Sequence, residues 1–189
     1  DKRKKILGSS TLANNTAILN SFSTMWQVLE ENAKTSPNQP AVREKAFGIW
    51  QTWSWRDYSE NARQLALGLI DLGMEDSSPV AIVGNNRQQL YSAMFSVQMA
   101  GGIPIPIYQD AVADEMLHVL QHSESKIIIA EDQEQVDKVI ELGEKLPKVE
   151  KIIYLEEKSM RSYESEDIIS IKSVLSRGEN VPDQCYKEL

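Results

Sequence analysis

One cysteine, Cys185, stands in a chain of 189 residues. That excludes an internal disulfide and points to a reducing compartment. Only two histidines, His118 and His122, are present, so zinc chemistry is short of ligands. No apolar run approaches the roughly 20 residues that span a bilayer. The opening DKRKKILGSSTL has basic residues but lacks the apolar stretch of a secretory signal. Asn14-Asn15-Thr16 fits a glycosylation acceptor, which has no meaning without secretion. Cations are also scarce, 20 Lys and Arg against 28 Asp and Glu, a net charge of −8. Phosphate repels such a surface, so nucleic acid is excluded as the main partner. The acidic excess concentrates in residues 131–167 and reads as a solvated face. The chain also lacks an initiating Met, and is expected to be cut from something longer or processed.

Hydrophobic residues make up 41% and charged residues 25%, ordinary for a globular protein. Residues 1–20 read as a polar tail. A helix is expected from about Thr24, with Phe22, Trp26, Leu29 and Ala33 on one stripe and Pro37 as its stop. Residues 41–45 and 49–55 read as a hairpin around Phe47-Gly48. Ser54, with Asp57 three residues on, can cap the next helix, which ends at Gly73. Short apolar runs at 80–83, 103–108, 127–130 and 152–155 then alternate with helical stretches near 87–100, 112–123 and 133–146. The expected fold class is α/β, an open, mainly parallel sheet with helices on both faces. Pro104 and Pro106 deprive one side of their strand of amide donors, which places it at an edge or in a shortened ladder. After Leu155 the pattern decays into a charged loop, a weak helix near 172–176 and a polar tail.

Several chemical motifs are missing. No G-x-G-x-x-G exists, and the near match to a phosphate loop, Gly68 to Gly73, continues Met74-Glu75 where Lys-Ser is needed. His118 and His122 share a helix face, but no third ligand is near, so surface histidines are expected. No metal ligand is assigned. Trp50, Trp53 and Trp55 could meet a membrane interface, yet a strand pairing in a hairpin accounts for them more simply. No G-x-S-x-G elbow lifts a serine, and no assembled catalytic set is present.

The order of the remaining motifs resembles one family. Thr52 to Tyr58, Leu72-Gly73, the strand Val80-Ala81-Ile82, Asn86 and the run from Ala100 to Pro106 resemble the N-terminal part of AMP-forming acyl-CoA synthetases. The segments HSESKIIIAEDQEQVDKVIELGEKLPKVEKIIYLEE and SMRSYESEDIISIKSVLSRGE resemble the long-chain fatty acid branch. The likeness covers about residues 22–180. It implies the first subdomain of the large N-terminal domain of adenylate-forming enzymes. The activity it implies joins a long-chain fatty acid to CoA through acyl-AMP, with ATP, Mg2+ and CoA as requirements of the parent enzyme. The family's phosphate loop ending Pro-Lys-Gly, its adenine and magnesium motifs and its C-terminal lysine are all missing here. The segment alone is therefore expected to be inactive and to bind none of these groups.

These readings divide the chain into a tail (1–20), an α/β subdomain (21–177) and a linker (178–189). The corner Gly84-Asn85-Asn86 is read chiefly as a structural turn. Asn85, Asn86 and Arg87 are candidates for the edge of the substrate cleft, with Tyr108 at the end of the next strand. Expected partners are the fatty acid, ATP and CoA through the missing remainder, with peripheral membrane contact and a homo-oligomer left open. The expected location is cytoplasmic, or peripheral at the inner membrane face. Two alternatives stand beside the ligase: a fatty acyl-AMP ligase feeding a carrier protein, and a non-catalytic binding or assembly module. A segment cut from a larger enzyme is also expected to expose an apolar face.

Overall fold

The structure, a computed structural model, describes residues 22–163 and 165–181. The tail, the glycosylation pattern at Asn14 and Cys185 lie outside the described residues. Helix α1 (Met25–Thr35) starts where the Gln27 side chain accepts from the Ser23 and Thr24 amides. Strands β1 (Pro40–Ala46) and β2 (Ile49–Ser54) form a separate antiparallel hairpin. Phe47 and Gly48 form its turn with φ of 51° and 79°. Two positive φ values are the mark of a type I′ hairpin turn, which prefers Asn-Gly. A non-glycine residue there carries about 1–2 kcal/mol of strain.

Helix α2 (Trp55–Asp71) is capped as its sequence implies. Asp57 donates its amide to Ser54 Oγ at 3.2 Å, and its carboxylate accepts from the Ser54 hydroxyl and amide at 2.7 and 2.9 Å. The Ser54 hydroxyl, then its amide, hold the Asp57 carboxyl below the usual carboxylate range. A depressed acid stabilises the folded state above its unfolded value and loses that contribution as pH falls through the folded one. Asp57→Asn should therefore cost about 0.5–1 kcal/mol at neutral pH, discounted because the site is exposed. In denaturant titrations the gap between variant and parent should close below about pH 4.

A five-stranded sheet follows, in the order β4-β3-β5-β6-β7. Its strands are β3 (Pro79–Val83), β4 (Ile103–Ile107), β5 (Ile127–Ala130), β6 (Lys151–Tyr154) and β7 (Ile168–Ser170). Every neighbouring pair is parallel, as near-continuous apolar strands imply. The double-proline strand is at the edge. Ile103 donates its amide toward β3, to Ser78 O at 2.9 Å. Side-to-side alternation then puts the nitrogens of Pro104 and Pro106 on the open side. That edge offers few donors to an added strand, a guard against edge-to-edge pairing.

Between the strands run α3 (Gln88–Met99), α4 (Ala113–Ser123) and α5 (Gln133–Leu142), with α6 (Ile171–Glu179) closing the unit. Helices α1, α2, α3 and α6 cover one face, packing Leu65, Leu69, Ala93, Val97 and Val174 against Val80, Ile82 and Ile129. Helices α4 and α5 cover the other, where Met116, Leu120, Val136 and Val139 meet Ala81, Val83 and Ile128. Tyr58 stands edge-on to Phe95 at 5.6 Å in the first core, and burial pushes its hydroxyl well above the usual range.

Two expectations need correction. The stretch after Leu155 is not only a charged loop, because Ile168–Ser170 forms a fifth strand. The weak helix near 172–176 spans Ile171–Glu179 and is fastened to α2. Both segments are short, so neither shows a period until the sheet and α2 supply partners. At the crossing, a Cβ on Gly68 would lie 2.1 Å from Val174 O, and one on Gly178 would lie 1.9 Å from Gln64 O. The two glycines let the backbones approach. Exposed apolar residues cluster at the hairpin (Phe47, Ile49 and Trp50) and around β4 (Ile103, Tyr108 and Val112), while Met25, Tyr91 and Ile140 stand singly on three helices.

Candidate functional site

Strand β3 leads through α3 on one face to β4, while β5 leads through α5 on the other face to β6. Adjacent strands whose connections part to opposite faces leave a crevice at their carboxyl ends. That crevice lies between the turn after β3, Gly84 to Arg87, and the turn after β5, Glu131-Asp132. The sequence-selected residues Asn85, Asn86 and Arg87 are therefore at a topological switch point.

What fills the corner is protein. Glu131, with a side chain 5% exposed, accepts from the Asn85 amide and takes Arg87 Nε at 2.7 Å. The Asn85 side-chain amide reaches its other oxygen at 3.5 Å. Arg87 also meets Glu156, after β6, at 2.9 Å and Glu44, on the hairpin, at 3.6 Å. One guanidinium thus joins three carboxylates from three parts of the fold. Gly84 is needed for this approach, since a Cβ there would stand 2.6 Å from the Glu131 Cβ. Gln88, buried at the start of α3, completes the joint. It donates its side chain to Val42 O and Gln51 O, at 3.3 and 3.1 Å, and its amide to Glu44 at 3.2 Å. An acidic side chain at a helix N-terminus is favourable.

A shallow depression of about 310 Å³ opens above this joint, lined by Glu44, Gln51, Trp53, Arg87, Gln89 and Glu156 among others. A larger depression, about 340 Å³, lies at the opposite end of the sheet between Gly73, Ser78, Lys126, Glu150 and Lys151. There Lys126 pairs with Glu150 at 3.1 Å, so its charge is answered locally.

Asn86 is exposed beside the corner. Tyr108 is exposed at the carboxyl end of β4, where a hydrogen bond with Asp110 pushes its phenol up. The corner holds Asn85 and Arg87 together, whereas Tyr108 stands apart on the edge strand. Sequence reasoning missed Glu44, Gln88, Glu131 and Glu156. Glu131 had one signal available, an acid directly after a fully apolar strand.

The corner does not fit the phosphates of ATP. The Asn85 amide is given to a carboxylate, and three acids surround the Arg87 guanidinium. Anion cradles need free inward amides and an excess of positive charge. Among the described residues no group of three or more His, Cys, Asp or Glu could hold a metal ion. The rings of His118 and His122 stack at 6.2 Å on an exposed face of α4. No described helix is long and apolar enough to cross a membrane.

Residues 29–185 match the family described as AMP-binding enzyme. The chain is 28% identical over 160 residues to a long-chain-fatty-acid–CoA ligase of Xenopus laevis, covering 85% of this chain and 21% of that protein. It is 31% identical over 136 residues to the long-chain-fatty-acid–CoA ligase heimdall of Drosophila melanogaster, covering 70% and 20%. The chain thus spans about a fifth of the length of these curated relatives. Among solved structures, acetoacetyl-CoA synthetase from Streptomyces lividans superposes with a TM-score of 0.71 at 19% identity, over 80% of this chain and 24% of that one. Coronafacic acid ligase from Pectobacterium brasiliense gives 0.71 at 16%, over 80% and 29%. At these identities the structures speak for the fold.

Proposed function

Because this chain belongs to the AMP-binding enzyme family, we propose that it is the first α/β subdomain of a long-chain fatty acid–CoA ligase. The reaction of the whole enzyme joins the acid to AMP at the expense of ATP, then to the CoA thiol. The observation that carries this reading is the identity to long-chain ligases of frog and fly, spread over most of the chain. The division into tail (1–20), subdomain (21–177) and connecting segment (178–189) belongs to the same reading, with Gly178 joined to the subdomain by its contact with α2.

The subdomain's part is structural support of a cleft. Arg87 and Glu131 close the switch-point crevice from below and tie the hairpin to it. Asn86 and the exposed side of Arg87 form the cleft edge in this proposal, with Tyr108 farther out. ATP, Mg2+ and CoA are requirements of the complete enzyme. No chemical step is assigned to these residues, because the Asn85 and Gln88 amides are given to carboxylates and three acids meet the Arg87 guanidinium.

The test is fatty-acid-dependent exchange of labelled pyrophosphate into ATP, followed by a thioester assay with CoA. The full reading frame that contains this segment should support both. Residues 1–189 alone should support neither. Exchange without thioester formation, rescued by a carrier protein, would replace the ligase by an acyl-AMP ligase. A frame that ends at Leu189 and binds none of the three substrates would make the chain a non-catalytic module.

A further inference from the structure

We propose that the tip of the β1–β2 hairpin is a docking surface for anionic phospholipid membranes. The register places Lys45 opposite Trp50 and Arg43 opposite Thr52. Residues opposite one another, or two apart, share a face of the ribbon. Arg43, Lys45, Trp50 and Thr52 therefore form one face, and all four are exposed. Val42, Glu44, Gln51 and Trp53 form the other, which the core, Arg87 and Gln88 hold. The three nearby tryptophans are thus divided. Trp53 and Trp55 pack on the core, and Trp50 is 63% exposed on the outer face.

The tip adds Phe47, fully exposed at 103%, and Ile49 at 65%. Phe47 occupies a positive-φ position where Asn would be relaxed. A strained aromatic side chain that packs on nothing is poorly explained by the fold alone, and such outliers point to a function. Indole and phenyl groups favour the boundary between headgroups and acyl chains. Arg43 and Lys45 form no ion pair with another described residue, and their stems let the charges reach headgroups while the rings insert. The chain as a whole is strongly acidic, so this local pair of cations selects where an anionic surface can approach. Binding at a membrane interface scales with buried apolar area plus attraction to anionic lipids, and the tip carries both an apolar and a cationic element. The proposal stands on the hairpin alone, since binding is scored without the ligase substrates.

The experiment is sedimentation of the full chain with vesicles of phosphatidylcholine alone and of phosphatidylcholine mixed with phosphatidylglycerol. The protein should partition into the mixed vesicles and far less into the neutral ones. Arg43→Gln and Lys45→Gln should each lower anionic binding about fivefold. Phe47→Asn should lower it at least about tenfold. The same variant should also raise the unfolding temperature, because Asn suits the turn. A merely structural role for Phe47 would not give that opposite pair of changes. Brominated lipid should quench tryptophan emission, and Trp50→Phe should abolish the quenching while retaining sedimentation. Absence of binding, or binding unchanged in Phe47→Asn, overturns the proposal. So does a Trp50 emission already shifted to short wavelength without vesicles, which would mean that another part of the protein covers the tip.

Discussion

Gly178→Ala is expected to detach α6 from α2 and to lower stability by about 3 kcal/mol or more. In a free helix the same change would gain about 1 kcal/mol, so the sign depends on the crossing. There the added methyl would stand 1.9 Å from a backbone oxygen, Gln64 O, which cannot turn away as a side chain can. Overpacking usually costs about 1–3 kcal/mol, and a rigid backbone neighbour puts this site at the upper end. Gly68→Ala should behave alike, since its Cβ would meet Val174 O at 2.1 Å. The Arg177–Asp71 ion pair at 2.9 Å bridges the same helices, but it is exposed and worth about 0–1 kcal/mol. Urea titration measures the loss, and hydrogen exchange should show α6 opening before the sheet. A Gly178→Ala protein as stable as its parent would mean that α6 does not pack as described.

The second large effect belongs to Arg87. Arg87→Met keeps the apolar stem and removes the cation, leaving the Glu131 carboxylate buried with Asn85 as its one remaining partner among the described residues. Breaking a buried pair costs about 3–5 kcal/mol. The Arg87 side chain is 44% exposed, so about 2–3 kcal/mol is expected after solvent screening. Glu44 and Glu156 lose the same partner, and the hairpin should exchange its amides faster. In the double variant Arg87→Met/Glu131→Gln much of the loss should return, because no unpaired charge remains in the corner. Equal losses in the single and double variants would show that Arg87 acts through its other partners.

Much of the architecture was legible because it rests on short-range rules. Four of the five parallel strands announce themselves as apolar runs, and Ser54 with Asp57 announces the start of α2. Two prolines restrict β4 to an edge or a shortened ladder, since a missing amide donor is a fact about the chain, and the sheet order puts it at the edge. The fifth strand was not legible. Ile168–Ser170 has three residues, too few for a period, and becomes a strand only beside Ile152–Tyr154. Gly68 was visible as a glycine but not as a contact, because its meaning lies in Val174, far along the chain.

The same division holds at the corner. Sequence alone placed Asn85, Asn86 and Arg87 after an apolar strand, where a crevice opens in such sheets. It could not say what would meet them. Glu44, Glu131 and Glu156 are far apart in sequence, and three acids in an acidic chain look alike. The parallel register brings the ends of β3, β5 and β6 together, and the hairpin folds over them. Pairing between charges depends on distance in space, so only the tertiary structure decided that the corner is closed by an ion cluster and that Trp50, unlike Trp53, faces outward.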